Sequence, residues 1–262
     1  MSDAPQARTL ALDHVVIAVQ ALAPAGAFFT QCGLMAAGGG RHSGVPTANA
    51  LFALAGGAYG ELLALQDPLQ REAIRARHAD GSLDAWLASQ PALARRFLPA
   101  FTHGEGVADL VLRSADLAAT LTRLRAAGVA VEGPIGMGRV RDDGVALAWR
   151  LALPATRVLP FLIEDETPLE LRVPALAPGS LAARIAHVII ACHDVAHAAG
   201  LWQVLLDAPA PATHLVLGAT AIELRQVPRD EREGACRVVL TAEGVAPQHA
   251  EVLTPYGISF AS

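Results

Sequence analysis

An internal repeat constrains this chain more than any other feature. The run DHVVIAVQALAPAGAFF from Asp13 lies without a gap over AHVIIACHDVAHAAGLW from Ala186, placing His187 on His14 at an offset of 173. Four of the six positions in HVVIAV and HVIIAC are identical. Apolar strands match by chance, so a repeat needs a second anchor. YGELLAL around Glu61 and AIELRQV around Glu223 supply one, with a His-to-Glu spacing of 47 in the first copy and 36 in the other. A chain written this way builds like units, each opening on a His-bearing strand and closing on a Glu-bearing one.

The local pattern gives each unit the order β, α, β, β, β. LDHVVIAV is rich in β-branched residues and reads as a buried strand, with His14 expected on a face with Leu12, Val16 and Ala18. Leu22 to Cys32 follows with helical spacing, and Gly33 stands where a C-terminal cap belongs. The glycines at 38 to 40 lead into RHSGVPTAN, and strands are expected at Ala48 to Leu54 and Ala58 to Gln66. From Gly106 the pattern returns, offset by 95 at its first strand, but Asp109 stands in place of His14 and Phe161 in place of Glu61. Residues 69–104 between the two units are charged and read as two helices, and 171–184 has the prolines of a linker. The expected organisation is a first module over 1–68, a helical connection over 69–104, a second module over 105–170, the linker, and a third, shortened module with C-terminal strands over 185–262.

Composition removes whole classes of chemistry. All 20 basic residues are arginine, so there is no Walker A lysine and no Schiff-base lysine. A net charge of -5 with scattered arginines gives no footprint for nucleic acid, and the expected partner is a small molecule. Polar residues interrupt the apolar runs before they reach the roughly 18 to 20 residues that span a bilayer. The polar start, Met1 to Thr9, lacks the features of a secretory signal, so a cytoplasmic protein with no membrane partner is expected. Three cysteines far apart give neither a disulfide framework nor a structural zinc site. There is no GxSxG elbow, and the glycine run is not a GxGxxG turn, so no organic cofactor is expected.

LDHVVIAV, GGRHSGVPTAN and YGELLAL together resemble the vicinal oxygen chelate superfamily, more narrowly its glyoxalase-like proteins, over Leu12 to about Ile163 and again from Ile185. The resemblance implies an α+β fold in which βαβββ modules pair into cup-shaped mixed sheets. It also implies that a first-strand His and a last-strand Glu bind a divalent metal, which designates His14 and Glu61 and, by the repeat, His187 and Glu223. Arg41, His42, Thr47 and Asn49 fall in the signature stretch, and the resemblance suggests ligand contact for them. Taken as ordinary residues, His14 is a core histidine bonded to backbone, Glu61 a carboxylate at a strand edge, and the Arg41–Asn49 stretch a solvated loop.

Two functions fit. One is a metal-dependent enzyme of isomerase, lyase or dioxygenase type, in which a cation polarises adjacent substrate oxygens and Glu61 moves a proton. The other is a metal-free binding protein of the bleomycin-resistance type. Because the middle unit lacks the pair, units one and three are one expected source of a complete site, within a chain or across a homodimer. Two imidazoles and two carboxylates would then favour Mn, Fe, Co, Ni or Zn. The competing geometry joins units one and two. His193, Asp194 and His197 read as capping groups, and His78, His103, His214 and His249 as unassigned.

Overall fold

The computed structural model describes residues 10–42, 45–141, 143–173, 175–245 and 253–261. Ser43 and Gly44 of the signature, the polar start, and His249 lie outside the described residues. The first unit comprises β1 (Leu10–Ala18), α1 (Leu22–Gln31), β2 (Ala36–Arg41), β3 (Thr47–Ala53) and β4 (Tyr59–Leu65). Three helices rather than two make the connection: α2 (Pro68–Ala79), α3 (Leu83–Ala88) and α4 (Ala92–Phe97), followed by a 3-10 turn. The second unit is β5 (Gly106–Ser114), α5 (Leu117–Ala126), β6 (Val131–Val140), β7 (Ala146–Pro154) and β8 (Phe161–Asp165). A short helix, α6 (Leu169–Arg172), opens the segment expected to be a plain linker. Next come β9 (Arg184–Cys192), α7 (Val195–Leu206), β10 (His214–Leu217), β11 (Thr220–Gln226), β12 (Gly234–Thr241) and β13 (Ile258–Phe260).

Several of these boundaries follow from side chains that cap. Asp67 accepts from Leu69 N at 2.9 Å ahead of Pro68, and Asp116 and Asp194 accept from Ala119 N and His197 N, also at 2.9 Å. Each satisfies a first-turn amide that the helix itself cannot.

Units one and two form a single eight-stranded sheet, in the order β2-β3-β4-β1-β5-β8-β7-β6. The antiparallel pair β1 and β5 runs down its middle and relates the two units by a pseudo-twofold, with His14 opposite Val111 and Asp109 opposite Val16. β9 to β13 make a second sheet, in the order β10-β11-β9-β12-β13. Its pattern is the same with strands removed. The antiparallel pair β9 and β12 stands for β1 and β5, and the parallel pair β12 and β13 for β5 and β8. The C-terminal strands thus stand to β9 as β5 and β8 of the second unit stand to β1.

The repeat extends to irregularities that no residue pattern showed. Ladder breaks at Leu12/His14 and Val16/Ile17 on β1 recur on β9, between Ile185 and His187 and between Ile189 and Ile190. Each bulge shifts the alternation by one residue. For that reason Leu12 packs with Val15 and Ile17 on the helix-covered face, while Val16 and Ala18 line the other, which corrects the expectation that Leu12 shares the face of His14. β1 is buried on both faces, and a strand in that position needs the unbroken apolar run VVIA that follows His14. The first core joins the helix-covered faces of both sheets around Phe29, Trp202 and Leu124. Trp202 Nε1 donates to the Val158 carbonyl at 2.8 Å across that junction. The second core lies where α2 to α4 fold over the other face of the large sheet, with Phe97, Phe101 and Phe161 inside it. Each buried large side chain in these two cores contributes about 1.5 to 3 kcal/mol.

Candidate functional site

Between the large sheet and α4 lies a cavity of about 790 Å³, counting its open mouth. Leu51, Leu93, Phe97, Met137, Trp149, Leu151, Phe161 and Ile163 form its apolar wall, and His14, Arg41, His42, Asn49, Glu61 and Arg139 are among its polar groups. The parallel ladder of β1 and β4 sets Val16 beside Glu61, which brings the His14 and Glu61 side chains together on the cavity floor. His14 Nε2 stands 3.3 Å from Glu61 Oε2, and both residues are buried.

The signature stretch closes on the same carboxylate. Asn49 Nδ2 donates to Glu61 Oε1 at 2.6 Å, and its Oδ1 accepts from Gly40 N at 2.9 Å, which fixes the amide's orientation. His42 Nε2 lies 3.2 Å from Asn49 Nδ2 and 3.6 Å from Glu61 Oε1, and its Nδ1 contacts Thr47 Oγ1 at 2.9 Å. The glycine run has a steric cause here. A Cβ on Gly39, whose φ is +112°, would fall 2.0 Å from the Asn49 carbonyl oxygen. Thr47 is fully buried beneath His42, while Arg41 stands exposed at the rim.

Behind His14 lies a network that sequence reasoning missed. The bulge at Asp13 turns its carboxylate back onto the neighbouring ring, Oδ1 to His14 Nδ1 at 2.7 Å. Arg172, from α6, donates to Asp13 Oδ1 at 3.1 Å and Oδ2 at 2.8 Å, to Tyr59 Oη at 2.7 Å, and side-on to Asp165 at 2.6 and 3.0 Å. Tyr59 stacks on His14 with ring centroids 4.4 Å apart. The segment expected to be a plain linker thus carries the cation that neutralises the buried Asp13 and the half-buried Asp165. Its composition gave no sign of this. Asp13, beside the His in LDHV, was the available signal.

The protonation states follow from these contacts. Burial would raise the Asp13 pKa, but His14 and Arg172 hold it well below the ordinary value. Burial would lower His14, yet hydrogen bonds to Asp13 and Glu61 leave it raised. Burial likewise opposes ionisation of Glu61, and the His14 hydrogen bond and charge, with His42 and Asn49, still bring it down to about 2. The floor is thus a charged relay from Asp13 through His14 to Glu61.

The second pair reproduces the first in the smaller sheet: His187 Nε2 is 3.3 Å from Glu223 Oε2. It is partly exposed, Arg225 donates to Glu223 at 2.8 Å, and neither residue lines the cavity. Of the two geometries expected, the fold has the one that joins units one and two in a single cup, while His187 and Glu223 lie in the other sheet and do not line the cavity. Asp109 adds no ligand in the second unit, since Arg96 holds it side-on at 2.6 and 2.8 Å. Among the described residues no three His, Cys, Asp or Glu stand in coordinating geometry. The donor set that comes nearest is His14, His42 and Glu61. Two imidazoles and a carboxylate, each ring held through its outer nitrogen by Asp13 or Thr47, suit a divalent transition metal in kind.

A mixed sheet of paired βαβββ units, with a first-strand His and a last-strand Glu inside the cup, defines a vicinal oxygen chelate fold. Within that class the chain belongs to the glyoxalase-like domain family, whose profile matches residues 12–206. Similar solved structures include a hypothetical protein from Staphylococcus aureus, 18% identical, covering 96% of this chain and 98% of that one with a TM-score of 0.71. A mutant of 4-hydroxymandelate synthase from Streptomyces coelicolor is 12% identical, covering 89% of this chain and 71% of its own with a TM-score of 0.52. Methylmalonyl-CoA epimerase from Mycobacterium tuberculosis, 20% identical, covers 65% of this chain and 98% of its own with a TM-score of 0.41. No curated protein matches the chain. Among the described residues, no helix is long and apolar enough to cross a membrane.

Proposed function

We propose that the cup is the active site of an isomerase, lyase or dioxygenase-type enzyme that uses a divalent transition metal, held by His14, His42 and Glu61, on a small molecule with adjacent oxygens. The observation that carries this reading is the convergence of His14, His42 and Asn49 on one buried carboxylate. With the His14 Nδ1–H donated to the ionised Asp13, a neutral ring turns a lone pair toward Glu61. Only a proton or a metal cation makes that contact favourable. A divalent cation there supplies Lewis-acid polarisation of the substrate's oxygens.

The chain's own groups do the rest. Asp13 and Arg172 lock the His14 ring, and Asn49 orients the Glu61 carboxylate. The apolar wall excludes water from the reacting end. Glu61, the carboxylate in the cavity lining, is the base this reading assigns to a substrate proton next to a carbonyl. While His14 and Asn49 hold its charge it is a poor one, so its basicity rises only when substrate oxygens draw those donors away. Three free cysteines suit a reducing compartment such as the cytoplasm.

The metal-free binding reading is favoured by one specific observation, that His14 is already satisfied between two carboxylates. Elemental analysis after dialysis against Mn, Fe, Co, Ni or Zn separates the two. The enzyme reading expects about one tightly held ion per chain, reduced at least tenfold in affinity by Glu61→Gln and unaffected by Glu223→Gln. A protein that retains none of these ions is a binding protein.

A further inference from the structure

The cavity lining carries Arg41, Arg139 and Arg172 and the imidazoles of His14 and His42 against a single carboxylate, Glu61. Part of that charge is already matched. Arg172 lies between Asp13 and Asp165, and His14 between Asp13 and Glu61. Arg41 and Arg139 have no acidic partner among the described residues, and the side chain of Arg139 meets only the Arg172 carbonyl, at 3.5 Å through Nη2. Its Nε is buried with no hydrogen-bond partner.

The protein shows what such an edge ordinarily holds. In Arg96 and Arg172 the same Nε and Nη2 edge takes an aspartate side-on, Asp109 at 2.6 and 2.8 Å and Asp165 at 2.6 and 3.0 Å. A planar guanidinium matches a planar carboxylate with two parallel hydrogen bonds, and a buried donor left unpaired is unfavourable. On β6, Arg139 lies two residues from Met137, which faces Trp149 across the ladder, so the cation borders the apolar wall.

We infer that the cup selects a compact carboxylic acid, its carboxylate drawn to the guanidinium of Arg139, a cavity-lining cation with no acidic partner among the described residues, and its apolar body laid against Met137, Trp149 and Leu151. This rests on the cup being the ligand site and names the ligand's class. It does not depend on a metal. Arg41 adds charge at the rim, and Arg139 adds it beside the apolar wall.

The test is calorimetric titration of metal-stripped protein with 3-phenylpropionate and its neutral counterpart, 3-phenylpropionamide. Wild type should prefer the acid at least tenfold. Arg139→Gln should abolish that preference by weakening the acid alone. Arg139→Lys should recover part of it, because a point charge lacks the fork. Arg77→Gln on α2 makes the same change in net charge away from the cavity and should leave the preference intact. The inference is overturned if acid and amide bind equally, if Arg139→Gln and Arg77→Gln weaken the acid equally, or if folded wild type binds no acid at millimolar concentration. The cation reading stands or falls separately: Glu61→Gln, expected to release the metal, should retain the preference for the acid.

Discussion

Replacing Arg172 by Met is the sharpest perturbation of the site's foundations, because it removes charge while keeping much of the side chain's volume. Arg172 is 5% exposed and Asp13 fully buried, and five hydrogen bonds run from the guanidinium to Asp13, Tyr59 and Asp165. Removing one partner of a buried ion pair leaves an uncompensated charge, at about 3 to 5 kcal/mol. Here two carboxylates share the cation, although Arg113, 3.4 Å from Asp13, offers partial replacement, so about 4 kcal/mol is expected. Urea unfolding followed by tryptophan fluorescence, read by linear extrapolation, gives the number. Asp13→Asn in the Arg172→Met background should recover about 1 to 3 kcal/mol of the loss, since the orphaned charge is gone. A loss below about 1 kcal/mol, or strict additivity of the two substitutions, would refute the assignment of Arg172 as the counter-ion of this network.

Asp13→Asn alone should lower the basicity of His14 and weaken cation retention by about 10- to 100-fold, measured by competition with a chromophoric chelator; unchanged affinity would separate Asp13 from the site. The network should also shape stability against pH. Glu61, ordinarily near 4.5 and about 2 when folded, contributes about 3 kcal/mol that is present above 4.5 and lost as pH falls toward 2. His14 is shifted the other way, so its contribution is present below 6.5 and lost as pH rises through its folded value. Melting curves of metal-stripped protein should peak between those limits, and Glu61→Gln should flatten the acid limb; an unaltered limb would count against the relay. Gly60→Ala would set a Cβ 1.9 Å from Phe52 Cζ and should cost about 1 to 3 kcal/mol in urea titration, whereas Gly144→Ala, with open space around it but a φ of +82°, should cost only its backbone strain. Trp202→Phe keeps most of the buried ring but orphans the Val158 carbonyl, so a loss of about 1 to 3 kcal/mol is expected by the same method.

The local pattern of residues was enough for the strand and helix order of the first two units, the repeat, and the placing of His14 on a first strand and Glu61 on a last one, because each rests on periodicity or on short segments read side by side. Arg41, His42, Thr47 and Asn49 were legible as a cluster, since they fall within nine residues of one another. What depended on distance was out of reach. Which units pair is decided by the summed packing of β1 on β5 and β9 on β12, so His187 and Glu223 copied the first pair faithfully and still ended in another sheet. The bulge at Asp13 is a property of two strands in register, and no single strand displays it. Arg172 lies 159 residues from the aspartate it neutralises, in a segment with the composition of a linker, and only the turn after β8 brings it over the cup. Arg139 reads as one more exposed arginine on a strand. It becomes a ligand anchor because the fold sets it beside an apolar wall with no carboxylate partner among the described residues.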